Sequence, residues 1–401
     1  MKLTLEQARG LWFHGQSLDG QGGDALRTLA ATGPIRTLGG ADVYISARAR
    51  VAGLTRVELD EMSARQDVQV IPAARGCMYL VARPDVPTYL SFAAEGFRKR
   101  NQREMEKVGC DAAEFAAVRD AAVAALQAGP MTPAQLRAAL PDGVVRPFGA
   151  AGKKIGLSSA LPSALRDLEF DGVAERGHEG GRLDSERYLW QLTGGAAVSA
   201  EPDAAEVLAT LARRFFTFAG PATRDEFSAW SGAGKRACQA AIDAIGLAPV
   251  QIEGYPCVAF AHAEATRPVG PASDAVRFLS YEDTYVTVHG GPGVLTDPAY
   301  HDVEVPVWGA GGPQTLGSVK HMHLRPFFIG PRLRGLWEFD PDTAEVFWTG
   351  LGPLTTSEHA QVAEEADLLG TFLRDEVGHG LSFSLDTPDA ARQRIQTLAS
   401  L

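Results

Sequence analysis

The sequence predicts an α+β protein built from three tandem winged helix-turn-helix domains followed by a C-terminal β-barrel-like domain. Capped helices with apolar residues at helical spacing precede a pair of short strand-like runs, and this order recurs three times before residue 265. The repeat length, about 70 to 110 residues, fits tandem domains and not a solenoid. From Val276 the pattern changes to short apolar strands separated by Gly/Pro turns.

The first domain is expected over 1–110. Thr4 caps a helix through Phe13, with Leu5, Ala8, Leu11 and Trp12 on its core face. A second helix runs from Asp24 to Ala31 and closes at Gly33-Pro34. The stretch Leu38 to Arg50 follows. Its Gly39 and Gly40 allow close backbone approach, and Asp42 and Tyr44 share one side if the segment is extended. Ser46 can then cap a short helix carrying Arg48 and Arg50, a place suited to holding a phosphate. The plainer alternative is a turn into a surface helix. Thr55 caps a helix from Val57 to Arg65, and Val68–Ile71 and Cys77–Val81 read as a hairpin around Ala73–Gly76.

The second domain, 111–195, opens with an alanine-rich helix from Ala112 to Ala128. Thr132 caps a short helix with Pro133 at the favoured first position, and Ser163 to Phe170 is the candidate recognition helix. Val173–Arg176 and Arg187–Leu192 form its wing. In the third domain, 196–265, a helix from Ala204 to Phe218 is broken by Gly220-Pro221. Thr223 caps the next, Gly232–Gly234 turns, and Lys235 to Ile245 makes the following helix. Val250–Ile252 and Cys257–Phe260 pair.

The last domain, 270–401, has strands at Arg277–Leu279, Tyr285–Val288, Gly335–Phe339 and Glu345–Trp348. Asp340-Pro341-Asp342 is the hairpin turn. Helices from Ser357 to Arg374 and Pro388 to Leu398 close the chain.

Composition restricts the function classes. The chain has 401 residues, 45% hydrophobic and 22% charged, with a formal net charge of −11. No apolar run of signal-peptide or membrane-spanning type occurs, so a cytoplasmic protein is expected. Cys77, Cys110, Cys238 and Cys257 are far apart and read as reduced thiols. The charge is uneven: from Glu338 onward there are 12 acids and 3 bases, whereas residues 1–110 hold 15 bases and 12 acids. A basic face therefore remains open to an anionic partner despite the acidic total, because fields act within a Debye length of about 8 to 10 Å.

Six pieces carry a family resemblance. They are LTLEQARGLWFHGQSL (3–18), LGGADVYISARAR (38–50), ARGCMYLVARPDV (74–86), FTFAGPATRDEFSAWSG (216–232), FLSYEDTYV (278–286) and RLRGLWEFDPDTAEVFW (332–348). In this order they resemble the bacterial winged-helix DNA glycosylases of the AlkZ and YcaQ type. The resemblance implies three winged helices curved around duplex DNA, a β-rich C-terminal domain, and hydrolysis of the N-glycosidic bond of alkylated, N7-linked purines. Alkylation at N7 makes the base a good leaving group, so the enzyme need only stabilise charge on the sugar and orient one water. The family motif is glutamine-any-glutamine or glutamine-any-aspartate. Its positions here hold Asp42 and Tyr44. Asp42 is the candidate general base or charge stabiliser, and Tyr44 a phosphate partner or stacking ring.

Candidate DNA contacts are Arg48 and Arg50 beside that motif and Arg75 at the first hairpin tip. Arg98, Lys99 and Arg100 form the strongest basic run, with acids around it. Lys153 and Lys154 sit in a glycine-flanked loop, and Arg224, Lys235 and Arg236 at helix starts. His321 and His323 lack further ligands at suitable spacing, so no metal is expected, and no cofactor. Three readings stand: a monomeric DNA glycosylase with Asp42 as its key group, a catalytically inactive duplex-DNA-binding protein for damage recognition or transcriptional control, and a protein scaffold without a basic groove.

Overall fold

The structure is a computed structural model that describes residues 1–401 except 21–22, 186, 194–202, 256, 267–272, 308, 310 and 383–385. The expected boundary between the second and third domains, and much of that before the fourth, lies outside the described residues.

Helix starts follow the capping residues. Thr4, Thr55, Thr132, Thr223 and Thr355 each form a capping box with a Gln or Glu three residues on, so two otherwise unpaired N–H groups are satisfied reciprocally. One order of elements then occurs three times. The first runs through helix Ala25–Ala31, strand Ile35–Arg36, helices Asp42–Arg48 and Arg56–Ala64, and hairpin Val68–Pro72/Met78–Ala82. The second runs through helix Ala112–Leu126, a bridge at Met131, helices Pro133–Ala139 and Leu161–Phe170 with an additional short helix, Gly149–Ile155, between them, and hairpin Ala174–His178/Tyr188–Leu192. The third runs through helix Ala204–Phe218, strand Ala222–Thr223, helices Arg224–Ser231 and Lys235–Ile245, and hairpin Ala248–Ile252/Ala259–Ala261. In each, the early strand pairs antiparallel with the second hairpin strand: Ile35 with Leu80, Met131 with Trp190, Ala222 with Phe260.

Two placements differ from expectation. Helix Leu5–Gly15 does not pack with the first hairpin. Its Leu11, Trp12 and Phe13 join Val250, Ile252 and Ala259 of the third unit, and strand Lys2–Leu3 pairs parallel with Ala248–Ile252. The basic run after the first hairpin belongs to a 22-residue helix, Val86–Lys107. Tyr89, Leu90 and Ala94 on its early turns pack into the core of the third unit, and Met105 on its last turn into that of the second.

The C-terminal part is an open antiparallel sheet and not a barrel. Its order is Val276–Phe278, Arg325–Ile329, Arg332–Phe339, Val346–Gly350, with no pairing between the two outer strands. Helix Thr356–Thr371 instead spans one face against both outer strands, which buries the surface that closure would have hidden. The expected strand at Tyr285–Val288 is a helix, Thr284–Val288. Its β-branched composition reads as strand, but the Asp283 carboxylate accepts from the Tyr285 N–H and starts a helix whose Tyr285, Val286 and Val288 are all buried. This sheet shares one core with the first unit, where Tyr44, Val43 and Ile45 meet Trp337, Leu369 and Leu373.

Candidate active site and basic surface

The Leu38–Arg50 stretch is organised by its glycines. Gly39 and Gly40 have φ of 103° and 54°, and a Cβ on Gly40 would lie 2.3 Å from the Leu381 carbonyl oxygen. The loop thus packs against the C-terminal segment, and the Ala41 N–H donates to that same carbonyl at 2.8 Å.

Asp42 then opens helix Asp42–Arg48, so the segment is helical and not extended. Residues two apart on a helix point to opposite sides, and Asp42 and Tyr44 diverge accordingly. The Asp42 side chain is 1% exposed. Its Oδ1 accepts from Ser382 Oγ at 2.7 Å and faces Arg325 Nη2 at 3.4 Å. Arg325 is fully buried: it pairs with Glu338, donates to the Gly380 carbonyl at 2.6 Å, and stacks 4.5 Å from the Tyr281 ring. Arg394 ties Glu338 to Asp386, and Tyr281 Oη donates to Glu338 at 2.7 Å. Burial pushes the Asp42 carboxyl up to about 6, partly opposed by Arg325 and by the Ser382 hydrogen bond. Two arginines face three carboxylates in this closed network.

Tyr44 Oη donates to Asp60 Oδ1 at 2.6 Å and accepts from the Leu183 N–H at 2.9 Å. It is 1% exposed, and burial followed by the Asp60 contact raises its phenol well above the ordinary range. Ser46 lies inside the helix, hydrogen-bonded to Ser280 Oγ, and caps nothing.

Beside Gly39 and Gly40 is a small cavity of about 60 Å³ that Asp42 does not line. His178, Asp184, Ser185 and Tyr188 of the second unit close it. Burial lowers the His178 pKa, and its Nδ1 lies 3.0 Å from the Ser185 carbonyl. Burial raises Asp184, but Arg182 and His379 outweigh it and hold the carboxyl well below the usual range. The sequence reading missed these residues. They lie about 140 residues from the motif, and nothing local in HEGGRLDSE marks them.

The two arginines nearest the motif are both engaged by carboxylates. Arg50 is entirely buried against Asp283 and Gln16. Arg48 pairs with Glu365 at 2.8 Å and lies over Phe372. Arg98 is taken by Asp167 and Asp171, Lys99 by Glu95, and Arg224 and Lys235 share Asp225. Arg100 stays exposed, 3.9 Å from Glu104. Lys153 and Lys154 occupy the last turn of helix Gly149–Ile155, not a loop, and are exposed. Arg75, Lys153, Lys154 and Arg236 are exposed with no acidic partner among the described residues. No group of three or more His, Cys, Asp or Glu able to hold a metal occurs among the described residues, and no helix is long and apolar enough to cross a membrane. The cysteines are free, Cys110 and Cys238 buried and Cys257 exposed.

The architecture has a counterpart among solved structures. Streptomyces sahachiroi DNA glycosylase AlkZ aligns over 95% of this chain and 98% of its own, with a TM-score of 0.68 at 18% identity. No curated protein matches in sequence. A family model described as DNA glycosylase AlkZ-like matches residues 29–372, from within the first helix of the first repeat through the Asp42 helix, the second and third repeats and the C-terminal sheet. The chain belongs to the AlkZ-like DNA glycosylase family.

Proposed function

We propose that this protein is a monomeric duplex-DNA-binding member of its family, with three winged helix-turn-helix units, in which Asp42 and Tyr44 hold the fold together and do not attack a glycosidic bond. One observation carries the reading: the Asp42 carboxylate is 1% exposed, engaged by Arg325 and Ser382, and covered by the segment Gly380–Ser382. A base must reach within about 3 Å of a catalytic group, and the described residues leave the Asp42 side chain only 1% exposed. Affinity for the duplex then rests on exposed cations, Lys153, Lys154 and Arg236 first among them.

A second reading is favoured by one property of the same residue. A carboxyl poised near 6 suits general-base work at neutral pH, and displacement of Gly380–Ser382 would turn it toward an alkylated purine linked at N7.

The deciding experiment uses duplexes with and without a single N7-methylguanine, followed by gel shift and by cleavage at abasic sites. Binding to both without base release is expected. Base release that disappears in Asp42→Asn overturns the first reading in favour of the second. Absence of binding at low salt overturns both and leaves a protein-scaffolding role.

A further inference from the structure

A cleft that Asp42 does not line lies among the helices of the three units. It measures about 880 Å³, between helix Val86–Lys107, the end of helix Leu161–Phe170, and helices Ala204–Phe218 and Lys235–Ile245. That volume falls in the range of small-molecule sites, roughly 300 to 1,000 Å³.

Its walls are apolar. Phe92 and Phe97 are half-buried beside Phe170, with the Phe97 and Phe170 rings 4.9 Å apart. Opposite them, Ala237, Ala240 and Ala244 form an exposed stripe along one face of helix Lys235–Ile245. A surface helix ordinarily turns charged residues outward, so a wall of exposed alanines opposite phenylalanines leaves apolar area uncovered.

Its charge is one-sided. Among the described residues Arg75, Lys99, Arg100 and Arg166 line it against Glu95, which is already taken by Lys99, and Arg100 lies 3.9 Å from Glu104 outside the lining. Among the described residues Arg166 has one acidic neighbour, Glu169, at 3.4 Å. Glu169 spends its hydrogen bond on Arg176 at 2.7 Å, and its Oε2 is left without a hydrogen-bond partner. Burial, then the charge of Arg176 and more weakly that of Arg100, pushes the Arg166 guanidinium down to about 10. An added anion would relieve that crowding.

We infer that this cleft binds an amphipathic organic anion, its apolar body between the phenylalanines and the alanine stripe and its acidic group on Arg166 and Arg100. Nucleic acid fits less well, because a phosphate backbone would leave the phenylalanine and alanine walls uncovered. The inference stands apart from the reading of Asp42. A ligand there would touch Ser231–Gly234, the turn between the two helices of the third unit.

The test titrates the full-length protein with 8-anilinonaphthalene-1-sulfonate and with the uncharged N-phenyl-1-naphthylamine, reading fluorescence, with near-UV circular dichroism to verify native packing. Saturable one-to-one binding of the sulfonate is expected. The double variant Arg100→Gln/Arg166→Gln should weaken it tenfold or more and change the neutral dye less than twofold. Ala240→Trp, at an exposed position that leaves the core intact, should weaken both dyes. Absence of saturable binding overturns the inference, as does sulfonate binding indifferent to both variants. Displacement of the sulfonate by duplex DNA, with no effect of Ala240→Trp, would make the cleft a nucleic-acid track and also overturn it.

Discussion

The Arg50 guanidinium and the Asp283 carboxylate form a two-pronged ion pair, 2.8 and 2.7 Å long, with neither side chain exposed to solvent. Arg50 follows the Asp42 helix, and Asp283 caps a helix of the C-terminal part, so the pair fastens the first unit to the sheet. Removing one partner strands a buried charge. Arg50→Leu should cost about 3 to 5 kcal/mol in urea unfolding. Arg50→Leu/Asp283→Leu should recover part of that loss. A single-variant loss under about 1 kcal/mol would show that the pair is solvated.

Asp42 should leave a signature in stability against pH. Its folded carboxyl lies near 6, above the ordinary aspartate value of 3.8, so the native state holds this proton more tightly than the unfolded chain. Stability from this group is therefore full below the unfolded value, declines as pH rises through about 6, and is level above. The difference of about two units corresponds to roughly 3 kcal/mol. Relative to Asp42→Asn, the wild type should lose stability by on the order of 2 to 3 kcal/mol between pH 4 and pH 7. Parallel stability curves for the two proteins would place the carboxyl in a solvated setting and reopen direct catalysis.

Tyr44 separates a structural from a stacking role. Its hydroxyl satisfies both Asp60 and the Leu183 N–H, so it joins the first unit to the second. Tyr44→Phe keeps the ring and takes a hydrogen bond from the buried Asp60 carboxylate, to which the Leu183 N–H still donates at 3.1 Å, at a cost of about 1 to 3 kcal/mol. DNA affinity should change less than twofold. A large affinity loss with unchanged stability would restore the ring or hydroxyl as a nucleic-acid contact.

Much of the architecture could be read from local chemistry. Capping threonines with Gln or Glu three residues on mark helix starts, and Gly232 and Pro141 mark two of the ends, because both act within one turn. The partners of Asp42 could not be read that way. Arg325 and Ser382 are 283 and 340 residues away, and only tertiary packing decides that they cover a motif. Arg50 shows the same limit. An arginine near a helix resembles a phosphate contact until a distant Asp283 is placed opposite it. Tyr285–Val288 differs for a related reason: a four-residue run with three buried positions is too short for its period to distinguish strand from helix, and the Asp283 cap decided.

The salt dependence of duplex binding tests which cations face DNA. Each phosphate contact releases counterions and adds about 0.9 to the slope of log affinity against log salt. Lys153→Gln and Lys154→Gln remove exposed charges that no acid neutralises, so each that touches a phosphate should lower the slope by about that amount. Arg48→Gln should leave it unchanged, because Arg48 already spends its charge on Glu365 and its face on Phe372. Lys235→Gln is the informative intermediate. Its ammonium is exposed but lies 2.7 Å from Asp225, and DNA would have to displace that carboxylate. A slope that falls for Arg48→Gln but not for the lysine pair would move the duplex to the C-terminal face and overturn the assignment of the basic surface.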